Sequence, residues 1–538
     1  MRPPGRFLLA AAVTLATLWA ACLPNQSRAP SAEGSAAPAA PTPVGTGPSP
    51  APGSHETPAA PPAESRPVAA ARRSAEAPPP LAREFRAAWV ATVDNIDWPS
   101  RKGLPTAEAK AELDAIVDRA AALGLNALVF QVRPAGDAFY ESSLEPWSEW
   151  LTGAQGKAPS PKWDPLAHVI ERCHARGLQL HAWFNPYRAS HPAGKSKPAK
   201  NHVLVREPGL CVKYGSYGWM DPGMRRSADL FVEVLVDVVR RYDVDGVHID
   251  DYFYPYPENK QDFPDAGSYE LYRKAGGKLG RADWRRQNID RLVERMYDAV
   301  HRTKPWVQVG ISPFGIARPG VPAGIKAGID QYGQLYADVP KWLANGWLDY
   351  LAPQLYWPID QAPQSFATLL PWWHQQNTAG RHVWPGINPG RALNPKPPIR
   401  QTEIADQIAL LRAQRASHGH VHFSFKALRT DAPHVGGALR TLYREPAVAP
   451  ASPWLGERAP SPLQNAARRG RSGEEVAWSA RDDVRFVAVQ SERGGRWQTD
   501  GIVDARSGAF RMSSRADRIA LTPLSRTMVA GATAIVDG

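Results

Sequence analysis

Cysteine is almost absent: three residues in 538, at Cys22, Cys173 and Cys211. That excludes a disulfide-stapled scaffold, and no His/Cys cluster has the spacing of a zinc site. Sequence leaves open whether Cys173 and Cys211 pair, because a bridge depends on geometry that spacing does not supply. No apolar stretch is long enough for a comfortable membrane span. Phe7 to Ala21 has only the length of a signal-peptide core. Dense charge of one sign is also missing. The net charge is +12 and the pI near 9.6, yet the Lys and Arg residues are scattered, with short clusters such as Arg468, Arg469 and Arg471. Diffuse positive charge fits solubility or attraction to an anionic envelope and argues against nucleic acid as a partner. No Gly-rich phosphate loop follows the first apolar strand, which argues against a nucleotide-binding sheet. No cofactor or metal is implied.

What is present begins with an export signal. Arg2 and Arg6 precede the apolar stretch, which ends Leu18-Trp19-Ala20-Ala21-Cys22. Small residues before a cysteine resemble a bacterial lipoprotein cleavage site, so residues 1–22 read as a signal segment with Cys22 as the lipidated first mature residue. Plain secretion is the alternative. Leu23, rather than an aspartate, follows the cysteine. By resemblance to enterobacterial sorting, this points to an outer-membrane anchor facing the periplasm. Residues 23–82 are rich in Ala, Pro and Ser and read as a disordered tether. Its reach is about 40 Å if flexible and somewhat over ~150 Å as extended polyproline.

From Arg86 short apolar runs alternate with amphipathic stretches, the pattern of parallel βα units. Strands are expected at Arg86 to Val93, Ala127 to Arg133, Leu178 to Phe184, from Val244, at Val307 to Ser312, Leu348 to Tyr356, His382 to Ile387 and Val421 to Phe425. Helices are expected at Thr106 to Leu123 (opened by a capping-type Thr106), from Pro165 (capped by Asp164), at Ser227 to Tyr242, Gln287 to Thr303, Val339 to Ala344, Phe366 to Gln376, Thr402 to Ala416 and Gly437 to Tyr443. This predicts an α/β fold, a (β/α)8 TIM-type barrel with enlarged loops over 83–445. A Pro-rich link and a small β-sandwich follow over 446–538, with strands at Val484 to Val489, Phe510 to Met512, Ile519 to Thr522 and Thr533 to Val536, and a hairpin turn at Gly494-Gly495. A stabilising or substrate-positioning role suits that second domain.

Chemistry in such a barrel sits at the C-terminal ends of the strands. VDGVHIDDYFYPYP, Val244 to Pro257, places Asp250 and Asp251 there. Strand alternation points His248 and Asp250 inward and Ile249 outward, so Asp250 is the first candidate for a catalytic carboxylate. Asp251, where alternation fails, is the second. Glycoside hydrolysis needs two carboxyl groups, one charged and one protonated. The ends of strands five and six supply no Glu, so the partner is Asp251 itself or Asp137 in the loop after strand two, with Glu258 and Asp97 as weaker candidates. His248 is either a packed core histidine or a partner of Asp250. Arg133, Trp183, Asn185, Tyr187, Arg188, Gln354, Tyr356, Trp357 and Asn388 end or follow the other strands, and Tyr252 and Tyr254 follow the aspartates on the same one. Amides, guanidinium groups and rings around one mouth suit a polyhydroxylated ligand.

Several motifs together resemble one family. They are RAAWVATV at Arg86 to Val93 with Asp97-Trp98-Pro99, Gln131-Val132-Arg133-Pro134 with Gly136-Asp137-Ala138, Trp183-Phe184-Asn185-Pro186-Tyr187-Arg188, Asp245 to Pro255, and Ala352-Pro353-Gln354-Leu355-Tyr356-Trp357. In this order they resemble the bacterial glycosyl hydrolase-like 10 proteins over Glu84 to Tyr443. The resemblance implies a barrel protein of the cell envelope, with Asp250 as nucleophile or electrostatic stabiliser. It also implies a substrate like that of a division-associated member, which cuts peptidoglycan glycan strands already stripped of peptide. The strand is also similar to the DGxDxDxE strand of family-18 chitinases, with Asp250 at its last Asp. It departs where His248 replaces an Asp and Tyr252 the acid Glu, which argues against their substrate-assisted mechanism. The expectation is a monomeric glycoside hydrolase of peptidoglycan glycan. Another polysaccharide substrate, or a non-catalytic glycan-binding lipoprotein, is the alternative. Cells fed a radiolabelled fatty acid should label the wild-type chain and not a Cys22→Ser variant. Equal labelling of both would remove Cys22 as the acceptor, and labelling of neither would assign plain secretion.

Overall fold

The computed structural model describes residues 77–393, 399–414, 418–470 and 474–537. The signal segment with Cys22, and most of the tether, lie outside the described residues. From residue 85 the chain runs β1 (Phe85–Val90), α1 (Thr106–Ala122), β2 (Ala127–Arg133), α2 (Pro165–Ala175), β3 (Gln179–Phe184), α3 (Arg225–Arg241), β4 (Gly246–Ile249) and α4 (Arg281–Thr303). It continues through β5 (Gln308–Ile311), α5 (Val339–Ala344), β6 (Tyr350–Leu351), α6 (Phe366–Gln376), β7 (His382–Val383 and Gly386–Ile387), α7 (Glu403–Ala413), β8 (Gly419–His422) and α8 (Ala438–Leu442). These strands pair in parallel, with chain neighbours adjacent in space and β1 against β8. The first piece of β7 pairs with β6 and the second with β8, so the sheet returns on itself. Trp384 N donates to Leu351 O and Val421 N to Pro385 O across the two sides of β7. The expected (β/α)8 barrel is therefore present.

Several boundaries differ from the sequence reading, each for a local reason. β1 stops at Val90, short of Val93. The next amides are taken by side chains: Ala91 N donates to Asp97 Oδ2 at 2.7 Å, and Thr92 N and Val93 N both donate to Gln131 Oε1 at 2.9 Å. A strand cannot continue once its N–H groups have other acceptors. The chain then turns through Asp94 and Asn95, both at φ 52°. β6 is short because Pro353 has no N–H, and Pro385 splits β7 in the same way. β8 ends at His422 and is followed by a helical turn, Phe425–Leu428. Thr106 starts α1, but its hydroxyl donates to Ser160 O at 3.0 Å and caps nothing. Asp164 does cap α2, accepting from Ala167 N at 3.0 Å.

The barrel axis carries a polar column. Trp89 Nε1 donates to His248 Nε2 (3.2 Å), while Tyr350 OH lies 3.0 Å from His248 Nδ1 and 2.9 Å from His181 Nδ1. Burial keeps both imidazoles neutral, pushing His181 down to about 4 and His248 further. Glycine makes room for these rings. A Cβ on Gly310 would stand 1.9 Å from Tyr350 Cζ, and one on Gly246 2.4 Å from His181 Nδ1.

The second domain has two antiparallel sheets. One orders β9 (Gln464–Arg469), β10 (Glu475–Ser479) and β13 (Ala509–Arg511). The other orders β12 (Arg496–Asp504), β11 (Phe486–Arg493), β14 (Arg518–Leu524) and β15 (Ala534–Asp537). Gly494 and Gly495, at φ 58° and 79°, turn the β11–β12 hairpin. This domain covers the N-terminal end of the barrel. Phe486, Ala488, Leu524 and Met528 share one core with Phe85, Ala87, Val129 and Val421 from β1, β2 and β8. Arg485 Nε lies 3.2 Å from Asp245 Oδ1, just before β4, and Arg526 Nη1 lies 2.6 Å from Asp243 Oδ1. Burial acts to raise the Asp245 carboxyl, but Arg485 and the 2.8 Å contact to His174 Nε2 hold it well below the usual range. Cys173 is buried, Cys211 is half-buried, and both are free thiols. Among the described residues no helix is long and apolar enough to cross a membrane.

Gly310→Ala should destabilise the protein by about 3 kcal/mol, because the Tyr350 ring has no free volume to move into. Gly267→Ala, on a helix with nothing within 4 Å of the added methyl, should be neutral or slightly stabilising. Denaturant unfolding of the two variants measures both, and equal effects would remove the packing argument.

Candidate active site

The C-terminal end of β4 delivers both aspartates to the mouth. His248 continues the inward face and Ile249 packs among the helices, as the period of two requires. Asp250 keeps the inward phase. The strand ends there, and the turn brings Asp251 back to the mouth, so both carboxyls are 4% exposed. Asp250 Oδ2 accepts from Asn185 Nδ2 and from Trp183 Nε1 (3.2 Å), and among the described residues Oδ1 receives only the long contact from Tyr252 N (3.4 Å). Asp251 Oδ2 accepts from the Tyr256 hydroxyl, and the Gln354 amide beyond β6, whose Nε2 donates to Ser312 O at 3.0 Å, also favours the ionised Asp251. Arg188 stands beside the pair. Its Nη2 donates to Asn185 Oδ1 (2.6 Å), its Nε donates to Pro134 O (2.9 Å), and its guanidinium lies 4.7 Å from the Tyr252 ring centre.

Burial raises both carboxyls, and repulsion from Asp251 raises Asp250 further. Arg188 partly offsets each shift. Two buried, mutually repelling carboxylates do not both ionise readily, so the pair retains a proton toward neutral pH. The arrangement thus holds one charged and one protonated carboxyl without a glutamate.

Trp183, Asn185, Arg188, Tyr252 and Gln354 are brought to this pair. Tyr356 is half-buried and stacks on Phe423 beyond β8, 5.5 Å between ring centres. Asn388 stands half-buried just past β7. The others go elsewhere. Asp137 turns into its own loop: its Oδ1 accepts from Ala135 N at 3.0 Å, and burial raises it while Ser148 partly offsets the shift. It has no bond to Asp250 or Asp251. Arg133 is held by Glu145 and by the Asn185 and Pro186 carbonyls, so it supports the loop that carries Asn185. His248 bonds to Trp89, Ser312 and Tyr350 and makes no bond to Asp250; it is a core histidine. Tyr187 is fully buried in the core. Tyr254 packs edge-on against Phe263 and Tyr336, and Trp357 against Phe314. Asp97 latches the turn after β1 to Ser424 (2.8 Å), and Glu258 accepts from Ser216 N (3.2 Å).

Tyr256 at the pair was not among the expected site residues, and Gln131, expected only as a polar group at the end of strand two, stands behind the pair. Gln131 is fully buried, and its Nε2 donates to Asn185 Oδ1 at 2.7 Å. Its signal was available: Ala127, Val129 and Gln131 share one face of β2, and a glutamine in phase with buried apolar residues needs a polar partner inside the barrel. Tyr256 lies past the strand, where no period assigns a direction.

A family model described as Glycosyl hydrolase-like 10 matches residues 84–391. Glycosyl hydrolase YngK of Bacillus subtilis (strain 168) is 41% identical over 388 residues, which cover 70% of this chain and 75% of that protein. Glycosyl hydrolase DigH of Escherichia coli (strain K12) is 35% identical over 336 residues, covering 58% of this chain and 73% of that protein. Among solved structures, the catalytic domain of the beta-amylase from Paenibacillus polymyxa matches with a TM-score of 0.44 at 12% identity, covering 68% of this chain and 98% of that one.

The raised carboxyls have a stability signature. A carboxyl whose folded-state value lies above its unfolded one keeps a proton that the unfolded chain has already released. Stability therefore falls as pH rises from the unfolded value through the folded one. Asn at position 250 removes that titration. The Tm of Asp250→Asn relative to wild type should rise by a few degrees between about pH 5 and about pH 8. A difference that stays constant over this range would mean Asp250 is not raised.

Proposed function

The chain belongs to the glycosyl hydrolase-like 10 family, and from that premise we propose that it cleaves the glycan strands of peptidoglycan after their peptides have been removed. It is a glycoside hydrolase. The buried, neighbouring Asp250–Asp251 pair at the end of β4 is the observation that carries the mechanism.

In the proposed reaction the pair enters with one proton. The protonated carboxyl gives it to the glycosidic oxygen as that bond breaks. The ionised carboxyl faces the positive charge that develops at the anomeric carbon. Water then supplies the hydroxyl of the new reducing end, and its proton restores the pair. Asp250 is the main carboxylate, held by Asn185 and Trp183, and Asp251 is its partner in preference to Asp137, which its own loop occupies. Tyr252, Tyr256 and Tyr356 offer ring faces at the mouth, while Gln354 and Arg188 bind hydroxyls. Access to the polymer follows from the proposed placement: Cys22 lipidated at the outer membrane, the tether spanning part of the periplasm, and the barrel acting as a monomer on nearby strands.

The test compares intact sacculi with sacculi treated by an amidase, each incubated with the wild-type protein and with Asp250→Asn. The expected outcome is release of soluble sugar fragments by the wild type, chiefly from amidase-treated material, with a loss of at least about 100-fold in the variant. Glycan pull-down without any cleavage would replace the enzyme reading with a binding protein. Equal cleavage by both proteins would remove Asp250 as the catalytic carboxylate. Activity on other polysaccharides alone would move the substrate outside peptidoglycan.

A further inference from the structure

We propose that Gln131 is a positioning residue for the catalytic carboxylate: it fixes which way round the Asn185 amide stands, and through it which oxygen of Asp250 faces the mouth. The inference rests on the reading of Asp250 as catalytic.

The argument starts from which atoms can only donate. Thr92 N and Val93 N each donate to one end of the Gln131 amide at 2.9 Å. Main-chain N–H groups never accept, so that end must be the oxygen. The other end, Nε2, therefore meets Asn185 at 2.7 Å and requires an acceptor there, Oδ1. Arg188 Nη2 donates to that same oxygen at 2.6 Å and enforces the same choice. The NH2 end of Asn185 is left to face Asp250 Oδ2, where Trp183 Nε1 also donates. With both donors on Oδ2, Oδ1 has, among the described residues, the 3.4 Å contact from Tyr252 N alone and is the oxygen open to the reaction.

The relay crosses the barrel from the turn after β1 through β2 and β3 to β4, four neighbours in the sheet. Gln131 makes no bond to Asp250 itself. Each amide in the line has one orientation that satisfies its neighbours and one that opposes like groups in a buried site and leaves them unsatisfied. The direction set by two main-chain amides is thereby transmitted to the carboxylate.

Gln131→Glu reverses the relay. A carboxylate in place of the Gln131 amide has no donor for Asn185 Oδ1, so it draws the Asn185 NH2 toward position 131 and the Asn185 oxygen toward Asp250, against the hold of Arg188 Nη2. An ionised Asp250 opposes that turn. An amide at position 250, or a protonated Asp250, tolerates it by donating. The test is a double-mutant cycle on thermal stability, in the full chain and without substrate: wild type, Gln131→Glu, Asp250→Asn and the pair, at about pH 5 and about pH 8. The expected result is a Tm loss from Gln131→Glu at the higher pH that is a few degrees smaller in the Asp250→Asn background. This coupling should shrink at the lower pH. Equal losses in both backgrounds would show that Gln131 only packs, and would overturn the proposal. The same cycle with Gln131→Met keeps the volume and removes only the amide. It should show coupling of the same sign but smaller, because Arg188 still holds Asn185 Oδ1, and its complete absence would overturn the proposal if Gln131→Glu does not fold. Because no glycan is involved, this result stands apart from the sacculus assay, which judges the activity reading alone.

Discussion

Two carboxyl groups adjacent in the chain and removed from water are the constraint around which the mouth of this barrel is built. Burying one charge costs several kcal/mol unless it is bonded, and a second beside it adds repulsion. The surroundings answer with donors from separate elements: an indole on β3, an amide just past it, a second amide past β6 and a phenol from the loop after β4. Beneath them the axis stays neutral, because His248 and His181 are too deeply buried to charge. Arg188 is the one cation shown acting on both carboxyls among the described residues. The site's electrostatics thus depend on a few groups, while the barrel wall supplies stiffness.

That stiffness reaches the other end of the same strand. Asp243 and Asp245 precede β4 and are bound by Arg526 and Arg485 of the sandwich domain. β4 is therefore anchored at its foot by ion pairs and at its head by hydrogen bonds, and the sandwich contributes to holding the carboxylates although it lies at the opposite end of the barrel from them.

The fold was largely legible because it depends on local signals. Runs such as ALVFQVR and LQLHAWF, helix starts such as Asp164-Pro165, and glycines closing helices each act within a few residues. The inward placement of Asp250 was legible for the same reason, since it follows from alternation along one short strand. What sequence could not show is non-local or lies beyond the strands. Strand β1 was expected to run to Val93 because the acceptor that stops it, Gln131, lies on another strand. Asp137 was a candidate partner because an Asp after Gly136 reads the same whether it faces a substrate or ties its own turn. Tyr187, Tyr254 and Trp357 were grouped with the mouth because they follow strand ends, where the period of two no longer tells inward from outward. For His248 alternation indicated the inward face, but that face includes both the mouth and the packed axis, and the residue belongs to the axis.

The closure of the sheet has a consequence for the order in which this protein forms. β1 pairs with β8, so Phe85 lies beside Gly419, and Glu84 N donates to Val448 O. The ring cannot close until nearly the whole chain has been made, and a chain delivered from its N-terminus holds β1 as an unpaired edge throughout that time. The family match ends at residue 391, before β8 begins. A fragment cut there would keep both aspartates and leave β1 and β7 as open, adhesive edges. Late closure leaves those edges open to other chains for as long as synthesis lasts, so the last barrel strand made is also the one that protects the first.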